Sequence, residues 1–518
     1  MSQSRPHIVI FNPDQWYGGV MGCHGDSGAV TPHLDRSVSE DAVSFRWAFC
    51  QNPVCTPSRC SFMTGLYPHT LGHRTMFHML QPHEPMLLDE LRRAGYRVWW
   101  GGKNDLLAGQ HGVERSVDVY YSPERWNGPN THGERAWRGD PEGSQWYSFQ
   151  YGRIDLPEGE DLHDHDWNMV RGAVDEILHG PKDQPLCIFL PLQFPHPPYA
   201  CEEPWLSMID RQALPPPAPV PDWSQKSAIL GAIHQRQRQQ ERDDAWWREV
   251  RATYYAMIAR LDHQWGMIVA ALRQAGIYDE TALFNFSDHG DYTGDYGLVE
   301  KCQNSFEDRI SRVPLVIKPP AAVGVQPRVC DGLVELIDVP ATIYDLAGVE
   351  PSYWHFGRSL RPCLQGATEG HRDAVFCEGG RLRGEYQAME LQSVHAVPSD
   401  SLYWPRNSVQ TDETSDAHGK ATMCRTATRK YVRRIYERDE LYDLECDPDE
   451  LVNVIDDPAY REDLLALRER TLTWYQETCD VVPIEGDARS FGQTPPDWRR
   501  ALERVRAFRA GQGGDVGS

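Results

Sequence analysis

Short apolar runs alternating with segments of helical period predict an α/β protein. We expect a large, mostly parallel sheet sandwiched by helices over residues 1–365, followed by a smaller C-terminal α+β unit over 366–518. Two observations carry this reading. Up to about residue 365, apolar runs of strand length end in polar residues and alternate with helix-like stretches, as buried parallel strands and their crossovers do. Beyond about 366 that alternation fades. Composition agrees: 518 residues, 40% hydrophobic and 25% charged, form a globular chain with ample length to bury a core.

The elements follow in order. Residues 7–12 (HIVIFN) form the first buried strand, and 84–95 (EPMLLDELRRAG) a helix that stops at Gly95. The stretch YRVWWGGK is the next strand, breaking at a glycine pair. Residues 166–179 read as a helix with Asp166 as its N-cap, and 186–193 (LCIFLPLQ) as a strand ending before FPHPPY. From Trp246 to Gln274, Val250, Tyr254, Met257, Ile258, Leu261, Trp265, Ile268 and Leu272 recur at steps of three and four, an amphipathic helix closed by Gly276. TALFNFSDHGD then supplies strand and loop, and 331–347 a strand or turn and a helix. The five prolines of 212–227 predict a surface excursion. In the C-terminal unit, RDAVFCE and RKYVRRIY are strand-like, a helix lies near 459–477, and AGQGGDVGS predicts a frayed tail.

Charge narrows the function. Asp and Glu number 75 against 52 Lys and Arg, a net of -23. Such a surface repels phosphate backbones, which excludes generic nucleic-acid binding, and any anion site must bring its own cations. No apolar run approaches the ~20 residues that cross a bilayer, so no membrane partner is expected. The start, MSQSRPHIVIFNPDQ, passes into a strand without a signal-peptide core. The 13 cysteines contain no CxxC pair and read as free thiols, so a cytoplasmic protein is expected. Homo-oligomerisation is left open.

The strongest chemical signal is Cys55-Thr56-Pro57-Ser58-Arg59 followed by Thr64-Gly65. A buried cysteine in a proline turn would explain neither Ser58-Arg59 nor the Thr-Gly spacing. The pattern C-x-P-S-R-x-x-x-x-T-G resembles that of the type I sulfatases, whose cysteine is oxidised to formylglycine by a formylglycine-generating enzyme. The resemblance implies an aldehyde hydrate at position 55: one hydroxyl attacks sulfur, and deprotonation of the other expels sulfate. A serine could take only the first step. A helix starting at this turn would also aim backbone N–H groups at the anion.

Hard oxygen ligands stand at two strand ends, Asp14-Gln15 in FNPDQW and Asp288-His289 in FNFSDHGD. Such ends converge at the carboxyl edge of a parallel sheet. Beside Cys55, the two pairs resemble the metal ligands of the sulfatase and phosphonate monoester hydrolase group, nearest its choline-sulfatase-like branch; many arylsulfatases carry Asp-Asp and Asp-Asn instead. The implied metal set is Asp14, Gln15, Cys55, Asp288 and His289. One imidazole among oxygens suits a single divalent cation, Ca2+ or Mn2+ or else Mg2+, rather than a thiolate-rich zinc site.

The same resemblance implies the remaining catalytic residues. Lys301, twelve residues after His289, matches the lysine that contacts sulfate and the leaving oxygen. Lys103 matches the lysine of a G-K-x-H segment, and with Arg59 and Lys301 it forms a local positive pocket. His196 in LQFPHPPY matches the family's H-x-P-[FY] histidine and is the expected general acid, assisted by Lys301. One departure is Asp105 where the family has a histidine, with His73 or His78 as substitutes and a polar or cationic substrate group as the partner of Asp105. A second is the lack of a polar partner to align after Thr64-Gly65. The His163/His165 alternation in EDLHDHD suits a loop entering a helix, or a histidine lining the substrate mouth.

Further matches run from about residue 7 to 455: SRVPLVIKPP, IDVPATIYDLAGVEP, GRSL and RKYVRRIYERDELYDLECDPDELVNV. This breadth implies the whole alkaline-phosphatase-like fold, including a short antiparallel sheet in its C-terminal unit. The expected function is hydrolysis of small-molecule sulfate monoesters, with low overall substrate charge favoured over polysulfated chains. Phosphonate or phosphate monoester hydrolysis at the same site is the alternative. A non-catalytic anion- or metal-binding homologue with unmodified Cys55 would leave the charged residues unexplained.

Overall fold

The computed structural model describes residues 5–367, 370–390, 399–412, 414–484 and 486–494. Its main sheet contains β1 (His7–Asp14), β2 (Val43–Phe49), β3 (Arg97–Trp100), β4 (Val119–Tyr120), β5 (Leu186–Pro195), β6 (Thr281–Phe286), β7 (Leu315–Lys318) and β8 (Arg328–Glu335). Their spatial order is β8-β2-β7-β6-β1-β5-β3-β4, and the two-residue strand Arg312–Val313 pairs with β2. Only β7 runs against its neighbours in that order; β1 lies parallel to both β5 and β6. A mostly parallel sheet is therefore observed.

The unbroken apolar runs have a simple cause: both faces of the sheet are covered. On β1, Ile8 and Ile10 enter one core, while Val9 and Phe11 enter the other. The first core receives Cys60, Phe62 and Met63 from α1 (Cys55–Thr64) and Leu87, Leu88 and Leu91 from α2 (Leu87–Arg93). The second receives α3 (His165–His179) and the long α4 (Asp244–Gln274), whose eight periodic residues from Val250 to Leu272 are all buried.

Helix boundaries differ from expectation where capping decides them. The α2 helix spans Leu87–Arg93 because Met86 before it is extended and residues 82–84 form a turn; Gly95, at φ 91°, still closes the segment. The cap of α3 is Asp164, not Asp166, because the Asp164 carboxylate reaches the Trp167 N–H. Asp166 instead accepts from the N–H groups of Gln193 and Phe194 at the end of β5. Likewise α4 begins at Asp244, capped by Asp243. The proline-rich segment is a surface strap, pinned where Ala218 exchanges hydrogen bonds with Asp295 and Tyr296.

The second sheet is small and antiparallel, with β9 (Val375–Gly379), β10 (Ala421–Arg425), β11 (Arg429–Arg434) and β12 (Glu440–Asp443) in sequence order. Its Val375, Cys377, Met423 and Val432 join the first core. Buried Lys430 on β11 ties it down, reaching Asp308 at 2.6 Å and Glu450 at 2.8 Å. α6 (Arg461–Thr478) covers its other side with Leu467 and Trp474. The expected tail, 510–518, lies outside the described residues.

The Asp338 carboxylate starts α5 (Asp338–Ala347) and is fully buried. It meets Arg372 at 2.5 Å, His371 at 3.0 Å and the N–H groups of Glu335 and Arg358. Burial alone would raise its pKa, but Arg372 and His371 hold it well below the usual carboxylate range. Asp338→Ala should therefore cost roughly 3 kcal/mol at neutral pH by removing one of the two carboxylates that pair with buried Arg372. A depressed folded pKa stabilises above the unfolded value of about 3.9, and this contribution is lost as pH falls. Urea midpoints of wild type and variant should accordingly separate most above pH ~4 and converge in acid.

Candidate active site

The nucleophile region is built by burying an entire polar helix start. All ten residues of α1 are buried, and it begins at Cys55 after the extended Val54. Four signature residues, Ser58, Arg59, Thr64 and Gly65, have contacts that explain them. Ser58 Oγ donates to the Asp288 carbonyl at 2.6 Å, and Arg59 Nε meets Asp288 Oδ2 at 2.9 Å while Nη2 meets Asp14 Oδ2 at 3.0 Å. Thr64 Oγ1 donates to the Cys60 carbonyl. Gly65 closes the helix at φ 71°, where a Cβ would come within 2.9 Å of His355.

Around Cys55, the carboxyl ends of β1 and β6 deliver Asp14, Asp288 and His289. Ligand atoms of these four residues all lie within 4.8 Å of one another, and every side chain is buried. Cys55 Sγ is 3.2 Å from His289 Nε2 and 3.5 Å from Asp14 Oδ1. His289 Nδ1 faces the Gly290 carbonyl at 3.0 Å, the contact of an Nδ1–H donor, which leaves the Nε2 lone pair aimed into the cluster. Burial, with help from Lys301, lowers the His289 pKa and keeps the ring neutral. Burial and Asp14 push the Cys55 thiol up to about 12.

Gln15 adds a carbonyl oxygen. Its backbone takes a left-handed φ of 72°, unusual for a side-chain-bearing residue, and several contacts over-determine it. Its N–H donates to Asp288 Oδ1 at 3.1 Å, its carbonyl accepts from Tyr254 at 2.7 Å, and its Nε2 donates to Asp291 at 2.5 Å. The Oε1 atom is thus left facing the Lys301 ammonium at 2.7 Å. Two carboxylates, an amide oxygen and one imidazole nitrogen, held out of water, fit a hard divalent cation.

Cations surround the cluster. Lys103 Nζ lies 2.8 Å from Asp14 and 3.9 Å from Cys55 Sγ. Despite burial, which alone would raise it, Lys103 and Arg59 hold the Asp14 pKa well below the carboxylate range. Lys301 Nζ reaches His196 Nε2 at 2.9 Å, and His196 Nδ1 meets the Pro197 carbonyl at 2.6 Å. Burial and then Lys301 lower the His196 pKa well below its usual value. His196 also lines a cleft of ≈ 220 Å³ walled by Trp126, His132, His165, Phe194 and Pro198.

All nine expected site residues, Asp14, Gln15, Cys55, Arg59, Lys103, His196, Asp288, His289 and Lys301, thus form one connected cluster. His165 lines the adjoining cleft, whereas His163 is tied to Asn168 and Arg171. Of the two suggested substitutes for the family histidine, His73 meets the His78 carbonyl and Glu84 through its two ring nitrogens, and His78 meets Thr75 through Nδ1. Asp105 forms an ion pair with Lys103 at 2.8 Å.

Sequence reasoning overlooked Asp291, Glu300, His132 and Tyr403. Asp291, raised to about 6 by burial, anchors Gln15, Tyr199 and Thr293; its signal was in the quoted SDHGD run. Glu300, beside Lys301 in sequence, pairs with it at 3.0 Å. His132 and Tyr403 join His196 in a ring cluster that no motif marks.

A buried cysteine facing carboxylates and an imidazole that could hold a metal ion, ringed by cations at the carboxyl edge of an α/β sheet, is an arrangement suited to binding anionic esters. The sulfatase family profile matches residues 6–349. The chain belongs to that family, which places it among the sulfuric ester hydrolases. It is 26% identical over 515 residues to a choline-sulfatase of Rhizobium meliloti (strain 1021), covering 94% of this chain and 91% of that one. An arylsulfatase K of Gallus gallus is 26% identical over 479 residues, covering 87% and 79%. Among solved structures, the phosphonate monoester hydrolase of Agrobacterium radiobacter shares the fold, with a TM-score of 0.68 at 23% identity over 92% of this chain and 96% of that one.

Proposed function

We propose that the protein hydrolyses sulfate monoesters of small molecules, using residue 55 as formylglycine and one divalent cation, Ca2+, Mn2+ or Mg2+. The observation that carries this is the convergence of Cys55 with Asp14, Asp288 and His289 inside a ring of three cations. As a hydrated aldehyde, residue 55 supplies one hydroxyl for attack on sulfur and a second for release of sulfate. Asp14, Gln15, Asp288 and His289 would hold the cation, which supplies Lewis-acid polarisation of the ester oxygens and of the attacking hydroxyl.

The chain's own residues do the rest. Arg59 locks Asp14 and Asp288 at fixed spacing, and Lys103 and Lys301 offset charge on the transferred group. His196 stands where the cation ring meets the cleft, so the leaving alcohol sits in the cleft and the His196–Lys301 pair holds the proton it needs. All 13 cysteines are free, in keeping with a reducing compartment such as the cytoplasm. No helix among the described residues is long and apolar enough to cross a membrane.

Peptide mass spectrometry across Cys55, on protein from its native host, tests the maturation by a formylglycine-generating enzyme. Conversion of the thiol to an aldehyde is expected, and an unmodified thiol would overturn it. Turnover of a nitrophenyl sulfate against a phenylphosphonate ester tests the substrate. The likeness to phosphonate monoester hydrolases makes the phosphonate the competing reading, and turnover of it alone would favour that reading.

Proton delivery has a separate signature. His196→Gln should lower kcat/KM for an alkyl sulfate by about 10²–10³-fold, because an alkoxide leaves poorly unprotonated. For nitrophenyl sulfate, whose leaving group needs little help, the loss should stay below about tenfold. Equal losses on both esters would remove His196 from the role of acid.

A further inference from the structure

We propose that Asp105 tunes this site to esters whose transferred group carries one negative charge rather than two; the inference rests on the hydrolase reading above. The Lys103 ammonium is held between two carboxylates, Asp14 Oδ2 and Asp105 Oδ2, each at 2.8 Å. The Asp14 contact is a hydrogen bond, whereas the Asp105 contact is an ion pair without hydrogen-bond geometry, so Asp105 acts on Lys103 through its charge. On its remaining side Lys103 stands 3.9 Å from Cys55 Sγ, so Asp105 is one ammonium group away from the reacting position.

The charge balance of the pocket sharpens the effect. Arg59 is matched by Asp14 and Asp288, and Lys301 by Glu300, which Arg406 engages in turn at 2.9 Å. Every one of the three cations Arg59, Lys103 and Lys301 is thus paired with at least one carboxylate. Asp14 and Asp288 belong to the metal cluster, and Glu300 is shared with Arg406. Asp105 belongs to neither arrangement: its 15%-exposed side chain places a negative charge beside the one cation that faces the transferred group from the β3 side. The field of Asp105 also reaches Arg59.

Coulomb repulsion scales with ligand charge, so a dianion meets twice the penalty of a monoanion in the same place. Sulfate monoesters, phosphonate monoesters and phosphodiesters present a single charge. Phosphate monoesters, with a second pKa near 6, present about two at neutral pH. The substrate class assigned to the site is therefore monoanionic esters, and Asp105 acts on it by positioning and partly neutralising Lys103.

The test compares nitrophenyl sulfate and nitrophenyl phosphate, which share a leaving group, on metal-loaded, matured wild type, Asp105→Asn and Asp105→Glu. Asp105→Asn should lower the sulfate-to-phosphate ratio of kcat/KM by about tenfold, mainly by raising the phosphate rate, while Asp105→Glu should keep the wild-type ratio. Calorimetric binding of inorganic sulfate, a dianion, should tighten about tenfold in Asp105→Asn alone. An unchanged ratio with unchanged sulfate affinity, or Asn and Glu variants that behave alike, would overturn the proposal. Should wild type turn over neither ester, the hydrolase reading fails by itself, and sulfate affinity still decides the role of Asp105.

Discussion

Cys55→Ser is expected to lose at least about 10⁴-fold in kcat/KM for a sulfate ester, the scale on which removal of a covalent nucleophile acts. The swap is nearly isosteric, and the site around it is fully buried and cross-linked by ion pairs, so the fold should be untouched. What disappears is the second hydroxyl on one carbon. A serine at position 55 has one oxygen, so any sulfuryl group it accepts has no elimination route by which to leave. Intact-mass spectrometry after incubation with substrate should therefore find the variant carrying one retained SO3 unit. Steady-state turnover at the wild-type rate would show that neither the aldehyde nor residue 55 is needed.

Arg59→Met should destabilise the cation-free protein by roughly 3–5 kcal/mol, the range for breaking a buried ion pair by removing one partner. Arg59 has no solvent exposure and is the bridge between Asp14 and Asp288, which otherwise face each other as buried carboxylates. A divalent cation held by the same carboxylates supplies replacement positive charge. The gap in melting temperature between chelated and cation-loaded protein should thus be wider in the variant than in wild type. Equal gaps would mean that Arg59 and the cation do not share those carboxylates. Turnover of the variant should also fall, because the two ligands lose their fixed spacing.

What could be read in advance depended on the range of the interaction. Strand order aside, the α/β class was visible because each buried strand and each amphipathic helix writes its own period locally, as β1 and α4 do. The nine residues of the cluster were legible because they sit at strand ends or in short motifs that resemble those of the sulfatases. Boundaries and partners were less legible. Three aspartates in EDLHDHD are equivalent as text, yet only Asp164 reaches an open helical N–H, and Asp166 is claimed by the end of β5. His132 and Tyr403 approach His196 from loops far away in sequence, and no local pattern foretells such a meeting.

By itself, the sequence determined the layered architecture, through periodicity along the chain, and the family resemblance, through the Cys55-Thr56-Pro57-Ser58-Arg59 motif. Only the tertiary structure decided which carboxylate neutralises which cation. Asp105 looked like a missing sulfate donor or a contact for a substrate group; folding makes it a counter-ion of Lys103, shared with Asp14. The reason is physical. Ion pairing inside a protein is set by distances of a few ångströms between side chains tens to hundreds of residues apart, and by burial that forces each charge to find a partner.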